Sequence, residues 1–181
     1  MKNYSQITAG VRKNEKVSQM AFYDMFYRPI YQSAYAVTGS REEAEEIMHD
    51  TLLKVFLNTD LLQEDPKAMT RVLRRIAANQ AIDAIRKRKN FIFPFDDNSM
   101  DWEDDDENEE EYEPTISDIK DGINSLSTAY QSIIFLRLFE EMSFAEIAER
   151  LQINASTVRV QYSRGISKLR TLLKQQLYAN E

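Results

Sequence analysis

The spacing of apolar residues constrains the fold of this chain more than any other feature. Apolar side chains recur three or four residues apart over long stretches, and the 181 residues include only 4 glycines and 4 prolines. This spacing gathers apolar side chains on one face of a helix, and no stretch alternates as a half-buried strand does. The sequence therefore predicts an all-α protein, long enough for one moderate core or two small ones.

The clearest predicted helix begins after Ser40. Ser40 and Glu43 have the spacing of a capping box, in which each side chain bonds the other residue's backbone N–H. The apolar face behind this cap comprises Ala44, Ile47, Met48, Thr51, Leu52, Val55 and Phe56. A preceding helix containing Phe22 is expected to kink or break at Pro29 and to end at Gly39.

The charge is distributed unevenly along the chain. The net charge is -7, yet 12 of the 18 residues from Asp96 to Glu113 are acidic, and the segments on either side are mildly basic. Such a run buries too little apolar surface to offset the entropy lost on ordering its backbone. It therefore predicts a flexible acidic linker between two small helical domains. Two roles for the acidic linker follow from its charge alone: an electrostatic shield over basic surfaces, or a spacer kept soluble by its charge.

The second domain has the pattern of a helix-turn-helix. Predicted helices run from about Thr128 to Phe139, from Ser143 to Leu151, and onward from Ala155, and Ser143 with Glu146 forms a second capping box. The three-residue turn 152–154 separates the last two helices. A short helix, a tight turn and a longer helix are typical of major-groove binding.

The outward face of the last helix is small, hydroxylated and flanked by arginine. Small side chains let a helix lie deep in the major groove, arginine pairs with guanine or phosphate, and valine meets a thymine methyl group. The candidate DNA contacts, here called the recognition face, are Ser156, Thr157, Arg159, Val160, Ser163 and Arg164. The alternative is a solvated helix in an ordinary bundle.

The helix that begins at Pro66 carries polar and basic residues along one side. Guanidinium groups supply both charge and a planar face, so such a side can follow phosphates or stack on exposed bases. The members of this basic stripe are Arg71, Arg75, Asn79, Arg86 and Lys89. The alternative is an amphipathic helix whose basic side only faces solvent.

Several classes of function are poorly supported. The sequence has no cysteine and one histidine, His49, so thiolate metal sites, zinc clusters and Cys or Ser-His catalysis are not expected. No catalytic constellation, cofactor site or metal site is predicted. No apolar run approaches the roughly 18 residues that cross a bilayer, and residues 1–16 lack the apolar stretch of a signal peptide, so a cytoplasmic protein without membrane insertion is expected.

Three ordered segments resemble the sigma-70 family of bacterial RNA polymerase factors. Residues 44–56 (AEEIMHDTLLKVF) resemble the segment that docks on core polymerase, and residues 75–89 (RIAANQAIDAIRKRK) resemble the helix that melts and reads the minus-10 element. Residues 143–169 (SFAEIAERLQINASTVRVQYSRGISKL) resemble the domain that reads the minus-35 element. Their order, and the absence of other domains, resemble the extracytoplasmic-function (ECF) group.

This resemblance implies four regions: an N-terminal tail (1–17), a first helical domain (18–92), the acidic linker (93–121) and a second helical domain (122–177). It adds a third candidate role for the linker, as a strand that threads the polymerase channels that later carry RNA.

The resemblance also implies a transcription initiation factor that is not an enzyme. The implied partners are promoter DNA and core polymerase, through its β′ clamp helices and its β flap, and an anti-sigma factor is a further candidate. The implied docking face comprises Glu46, His49, Asp50 and Leu53, where an exposed leucine among charges can anchor a partner. The basic stripe would hold the opened minus-10 strand, and the recognition face would bind minus-35 duplex.

Two other classes remain as alternatives. A stand-alone helix-turn-helix repressor would leave the first domain without a role, and no ligand-binding domain accompanies it. A helical adaptor that binds only proteins would leave the two basic surfaces without a role.

Overall fold

The computed structural model describes residues 3–88 and 114–179, without the side chains of residues 176–179. Every regular element in these residues is helical, as the sequence predicts. The helices are α1 (Tyr4–Arg12), α2 (Lys16–Thr38), α3 (Arg41–Leu57), α4 (Pro66–Lys87), α5 (Ile116–Ser125), α6 (Thr128–Leu138), α7 (Phe144–Leu151) and α8 (Ala155–Ala179), with a 3-10 turn at Thr59–Leu61. Helices α1–α4 form an N-terminal unit, and helices α5–α8 form a C-terminal unit.

Residues 4–12 differ from the expected N-terminal tail, because they form α1 and pack on α2. Asn3 and Gln6 form a reciprocal capping box at the start of the helix, and Ile7 and Val11 are buried. The phenol of Tyr4 donates a hydrogen bond to the Gln63 carbonyl oxygen at 2.9 Å. Burial, reinforced by the nearby carboxylate of Asp65, raises the pKa of the Tyr4 phenol. The first helix is therefore part of the N-terminal unit.

Helix α2 runs without interruption through Pro29, so of the kink or break expected there, the break into two helices does not occur. Phe26 and Ile30, on either side of the proline, are almost fully buried, and this packing holds the two halves together. The helix ends as predicted at Gly39, whose φ of 65° is the left-handed conformation that glycine adopts most easily.

Helices α3 and α4 complete the N-terminal core by packing on α2 and on each other. The Asp65 side chain caps α4 and Pro66 occupies its first turn, as predicted. The buried side of α4 has large residues at its two ends and three alanines between them, and these small side chains let the middle of the helix approach its neighbours closely. These residues are Met69, Leu73, Ala77, Ala78, Ala81, Ile82 and Ile85.

The C-terminal unit contains one helix more than the sequence predicts. Helix α5 begins inside the segment assigned to the linker, where Thr115 and Asp118 form a capping box. Ile123 on α5 joins Tyr130, Ile134 and Leu169 in one buried cluster. The remainder of the predicted linker, residues 93–113, lies outside the described residues.

Helix α8 packs against each of the other three helices of its unit. At Gly165 the approach to α6 is close, because a Cβ there would lie 3.0 Å from Ile134 Cδ1 and 3.3 Å from Tyr130 Cδ1. One side of α8 is therefore fixed against the core, which defines the opposite side as the exposed one.

Among the described helices, none combines the length and the apolar character needed to span a bilayer.

Candidate nucleic-acid and polymerase interfaces

The turn between α7 and α8 is built by local hydrogen bonds. Ser143 and Glu146 form the predicted capping box at the start of α7. Gln152 ends that helix in the left-handed conformation, with φ 56°. Asn154 Oδ1 then accepts hydrogen bonds from the backbone N–H and the hydroxyl of Ser156, both at 2.9 Å. The start of α8 is thus fixed relative to α7, as a helix-turn-helix requires.

The centre of the recognition face points to solvent. Ser156, Arg159 and Ser163 are exposed, and the Val160 side chain is 46% exposed although it is apolar. On the opposite side of α8, Val158 is fully buried. The exposed strip is therefore narrow and formed mainly by short side chains, with a shape suited to a major groove.

Two members of the recognition face lie at its edges. Thr157 and Arg164 are half-buried, and Arg164 already interacts within the protein. The neighbouring Gln161 is 3% exposed and belongs to the core side. Arg159 is therefore the arginine on α8 that is best placed to meet DNA.

The basic stripe divides into exposed and half-buried members. Arg71 and Arg86 are exposed, and Arg86 forms an ion pair with Asp83 at 3.2 Å. Arg75 and Asn79 are half-buried and have interaction partners within the protein. Lys89 lies outside the described residues. By helical periodicity the four described members share one side of α4, and two of them already interact with other groups of the protein.

Arg88 has a structural role that its position in the basic run Arg86–Lys89 does not indicate. Its Nε donates to a carboxylate oxygen of Glu43 at 3.0 Å, and one terminal nitrogen contacts the other carboxylate oxygen in an ion pair. The same nitrogen donates to the Thr38 carbonyl oxygen at 3.1 Å. Arg88 therefore ties the end of α4 to the start of α3.

The ion pair between Arg88 and Glu43 replaces half of the capping box that was predicted at the start of α3. Ser40 accepts a hydrogen bond from the Glu43 backbone N–H, as expected, but the Glu43 carboxylate pairs with Arg88.

Beside the ion pair, an open cleft of about 490 Å³ separates the exposed edges of α3 and α4. Its polar lining combines Glu43, Glu46 and Asp83 with Gln80, Lys87 and Arg88.

All four members of the predicted docking face are exposed on one side of α3. Glu46, His49, Asp50 and Leu53 follow one another at intervals of three, one and three residues, which brings them together on a helix. The Leu53 side chain is 53% exposed. An exposed leucine beside two carboxylates and an imidazole suits a protein partner with apolar and cationic groups.

The structure also places aromatic residues that the sequence analysis did not single out. The His49 ring stacks on Tyr23, with ring centroids 6.3 Å apart, and Tyr23 stacks on Tyr27 at 5.4 Å. Arg28 Nε donates to the Tyr27 phenol oxygen at 2.8 Å, and this hydrogen bond raises the pKa of the Arg28 guanidinium. The sequence indicates this aromatic surface only through the four-residue spacing of tyrosines along α2.

No cluster of three or more potential metal ligands occurs within residues 3–88 or 114–179.

Two helical units, the second with a helix-turn-helix whose central outward residues are exposed, are an arrangement that DNA-binding transcription proteins use. Residues 22–91 match the family described as Sigma-70 region 2, and residues 117–169 match Sigma-70, region 4.

Individual relatives agree with these matches. The ECF RNA polymerase sigma factor SigW of Bacillus subtilis (strain 168) is 29% identical over 181 residues, which cover 91% of this chain and 93% of SigW. The RNA polymerase sigma factor SigV of the same organism is 27% identical over 143 residues, covering 79% of this chain and 83% of SigV. Among solved structures, the sigma factor RpoE of Bartonella quintana, in complex with the anti-sigma factor NepR, aligns with a TM-score of 0.43 at 18% identity, covering 86% of this chain and 96% of RpoE.

The chain belongs to the sigma-70 family of RNA polymerase sigma factors, in its ECF group. It is therefore an initiation factor that binds RNA polymerase core and promoter DNA, and it is not an enzyme. The region 2 match accounts for the N-terminal unit, which neither a stand-alone repressor nor an adaptor would require.

Proposed function

We propose that the docking face on α3 binds the β′ clamp helices of core polymerase. The exposure of all four members supports this assignment, and above all the exposure of Leu53 among charged neighbours. An apolar anchor surrounded by polar groups is the usual arrangement at the centre of a protein interface. The two carboxylates favour a partner surface that carries lysine or arginine.

The basic stripe on α4 is proposed to hold the opened minus-10 strand. Arg71 and Arg86 are accessible to phosphates, whereas Arg75 and Asn79 are half-buried and interact with other groups of the protein. A polar group that is already oriented loses little entropy when a base or phosphate arrives. Lys89 extends this proposal beyond the described residues.

The recognition face on α8 is proposed to bind the minus-35 duplex. Arg159 supplies a cation, Val160 an apolar contact, and Ser156 and Ser163 leave room for the groove edges. Thr157 and Arg164 flank this surface, where phosphates of the two strands would pass.

The C-terminal unit is also proposed to contact the β flap. Leu138 and Phe139 at the end of α6 are 50% and 42% exposed, and Phe139 stacks on Phe135 at 5.3 Å. Apolar side chains that remain this exposed on a small domain mark a site for a protein partner. They lie on a different helix from the recognition face, so DNA and polymerase need not compete.

The domain organisation follows from these assignments. We propose that the N-terminal unit provides polymerase docking and minus-10 recognition, the C-terminal unit provides minus-35 recognition, and the acidic segment connects them. Because polymerase and promoters occupy the bacterial cytoplasm, the chain is proposed to work there.

Genomic run-off transcription tests this function without the need to choose a promoter sequence in advance. Fragmented genomic DNA of the source bacterium is transcribed by core polymerase with and without the purified chain, and RNA 5′ ends are sequenced. The expected result is a set of chain-dependent start sites that share minus-10 and minus-35 elements. A variant with Leu53→Glu and Asp50→Arg serves as the control and should yield none of them. Start sites that are absent, or that share no upstream sequence, would contradict the proposal.

A further inference from the structure

The connection between α3 and α4, residues 58–65, leads directly into the helix that carries the basic stripe. Leu62 is 6% exposed, so part of this connection is packed in the N-terminal core. At its end, the Asp65 carboxylate caps α4 by accepting a hydrogen bond from the Ala68 N–H at 2.7 Å. The conformation of the connection therefore determines where α4 begins, and Arg71 lies within the second turn of that helix.

Helix α1 reaches this connection through the side chain of Tyr4. The Tyr4 phenol donates a hydrogen bond to the Gln63 carbonyl oxygen at 2.9 Å, and the two residues are 59 positions apart in sequence. The Tyr4 ring meets the Phe26 ring on α2 edge to face, with centroids 6.1 Å apart. Because Phe26 is 2% exposed, its ring is fixed in the core and fixes the direction of the Tyr4 side chain.

Gln63 connects this contact to α4. Its backbone N–H donates to the sulfur of Met69 at 3.4 Å, and Met69 is fully buried near the start of α4. Its side-chain amide donates to the Leu61 carbonyl oxygen at 3.0 Å, which closes the connection on itself. Gln63 is thus bonded to α1 through its carbonyl oxygen and to α4 through its N–H. Loss of the Tyr4 contact would release a residue that is bonded to α4 two positions before Arg71.

The Tyr4 hydroxyl is not required to hold α1 on the N-terminal unit. Ile7 and Val11 anchor the helix, since they are 4% and 1% exposed on the side that packs on α2. Another hydroxyl of α1, that of the buried Thr8, is used inside the helix, where it donates to the Ser5 carbonyl oxygen at 3.1 Å. The hydroxyl of Tyr4 therefore acts on the connection, whereas that of Thr8 acts on α1 itself.

We propose that Tyr4 on α1 is a positioning residue of the minus-10 site, an inference that rests on the proposed binding of the opened strand by the basic stripe. Tyr4 fixes Gln63, and Gln63 fixes the start of α4. The backbone that carries the exposed Arg71 is thereby held in one place. A binding group on a fixed backbone loses less entropy when its ligand arrives than one on a fraying helix end, so Tyr4 strengthens strand binding without touching DNA.

The test uses full-length variants assembled with core polymerase, and measures their affinity for a labelled single strand that carries the minus-10 element found by run-off transcription. Tyr4→Phe keeps the ring and removes the hydroxyl, and should weaken strand binding about 3- to 10-fold, as the loss of one hydrogen bond does. Thr8→Val is the matched control, because it removes one hydroxyl hydrogen bond from the same helix without reaching the connection. Hydrogen exchange of the backbone amides of residues 63–69 should become faster in Tyr4→Phe only.

Arg71→Ala separates this inference from the function on which it rests. If Arg71→Ala weakens strand binding and Tyr4→Phe does not, the inference is wrong and the proposed role of the basic stripe stands. If neither variant weakens it, the proposed role of Arg71 fails together with the inference. Equal losses in Tyr4→Phe and Thr8→Val would overturn the inference by showing that both hydroxyls serve only the stability of the unit. In an Arg71→Ala background, Tyr4→Phe should add less than about a two-fold loss, and a full additive loss would show that Tyr4 does not act through Arg71.

Discussion

Helices α4 and α8 are both assigned to DNA, yet they hold their polar side chains differently. On α4, Arg75 and Asn79 are half-buried and engaged within the protein, and Arg88 at the end of the helix is bonded to Glu43. On α8, Arg159 and the serines of the recognition face are exposed. The engaged residues thus lie in the middle of the basic stripe on α4, whereas on α8 the engaged Arg164 lies at the edge of the recognition face and the centre is exposed.

The difference matches the two DNA forms that the helices are proposed to bind. An opened strand is flexible, so a binding surface gains most when its own groups are already fixed. A duplex is stiff and its major groove admits a helix only if the side chains are short enough. We therefore expect substitutions of Arg75 and Asn79 on α4 to change folding stability as well as DNA binding, and those of Arg159 and Ser163 on α8 to change DNA binding alone.

The largest effect is expected from removing the docking face. Leu53→Glu would bury a carboxylate in the proposed polymerase interface, and Asp50→Arg would reverse a charge there. Together they should weaken binding to core polymerase by at least about 100-fold. Both residues are exposed, so helicity should be unchanged. Affinity for core, measured beside circular dichroism and duplex DNA binding, checks this. Loss of helicity would show that Leu53 supports the core instead.

Core substitutions test whether the two units are separate in energy as well as in fold. Leu73→Ala in the N-terminal unit and Ile147→Ala in the C-terminal unit remove fully buried side chains, and each should lower the free energy of unfolding by about 2–5 kcal/mol. Each variant should destabilise its own unit only. Hydrogen exchange of backbone amides on α4 and on α8 measures the stability of the two units separately. Equal loss of protection in both units would contradict their independence.

Arg88 and Arg86 provide a matched pair for the role of cations on α4. Arg88→Ala removes a bidentate contact between the side chains of Arg88 and Glu43, each of which is about one-third exposed. The free energy of unfolding, measured by thermal denaturation, should fall by about 1–2 kcal/mol. Arg86→Ala breaks an exposed pair and should leave stability within about 0.5 kcal/mol while flattening the salt dependence of DNA binding. If both variants change the same property, Arg88 is not an anchor.

Local patterns allowed much of this fold to be predicted from sequence. The helices from Ser40, Asp65 and Ser143 begin at the predicted caps, because a capping side chain acts within three residues. Helices α1 and α5 were missed because their caps use Asn3 with Gln6 and Thr115 with Asp118, beside weakly apolar or acidic stretches.

Long-range contacts could not be predicted in this way. The pairing of Glu43 with Arg88 joins residues 45 positions apart, and no local pattern indicates that it displaces the expected capping contact of Glu43. The stacking of His49 on Tyr23 likewise depends on how α3 packs against α2. The buried and exposed sides of α8 could be predicted, because helical periodicity alone separates the buried Val158 from the exposed Arg159 and Val160.

The smallest effect is expected from the acidic segment. Replacing Asp104, Asp105, Asp106, Glu109, Glu110 and Glu111 by Ser or Asn at constant length removes negative charge from the sequence between two mildly basic segments. If the acidic segment shields basic surfaces, the free protein should bind non-specific DNA more tightly at low salt, and the difference should shrink above about 0.15 M salt. Unchanged DNA affinity together with unchanged transcription would identify a spacer.

The division of labour between α4 and α8 is tested most directly by a crossed salt titration. Arg71 and Arg159 are exposed arginines on the two helices. Each is changed to Ala in the full chain, and affinity is measured against salt for a mixed-sequence duplex and for one of its single strands. Arg159→Ala should reduce the slope of log affinity against log salt by about one unit on the duplex only, and Arg71→Ala should reduce it on the single strand only. The division would be contradicted if both variants reduced the slope on the same DNA form, or if neither variant reduced it on either form.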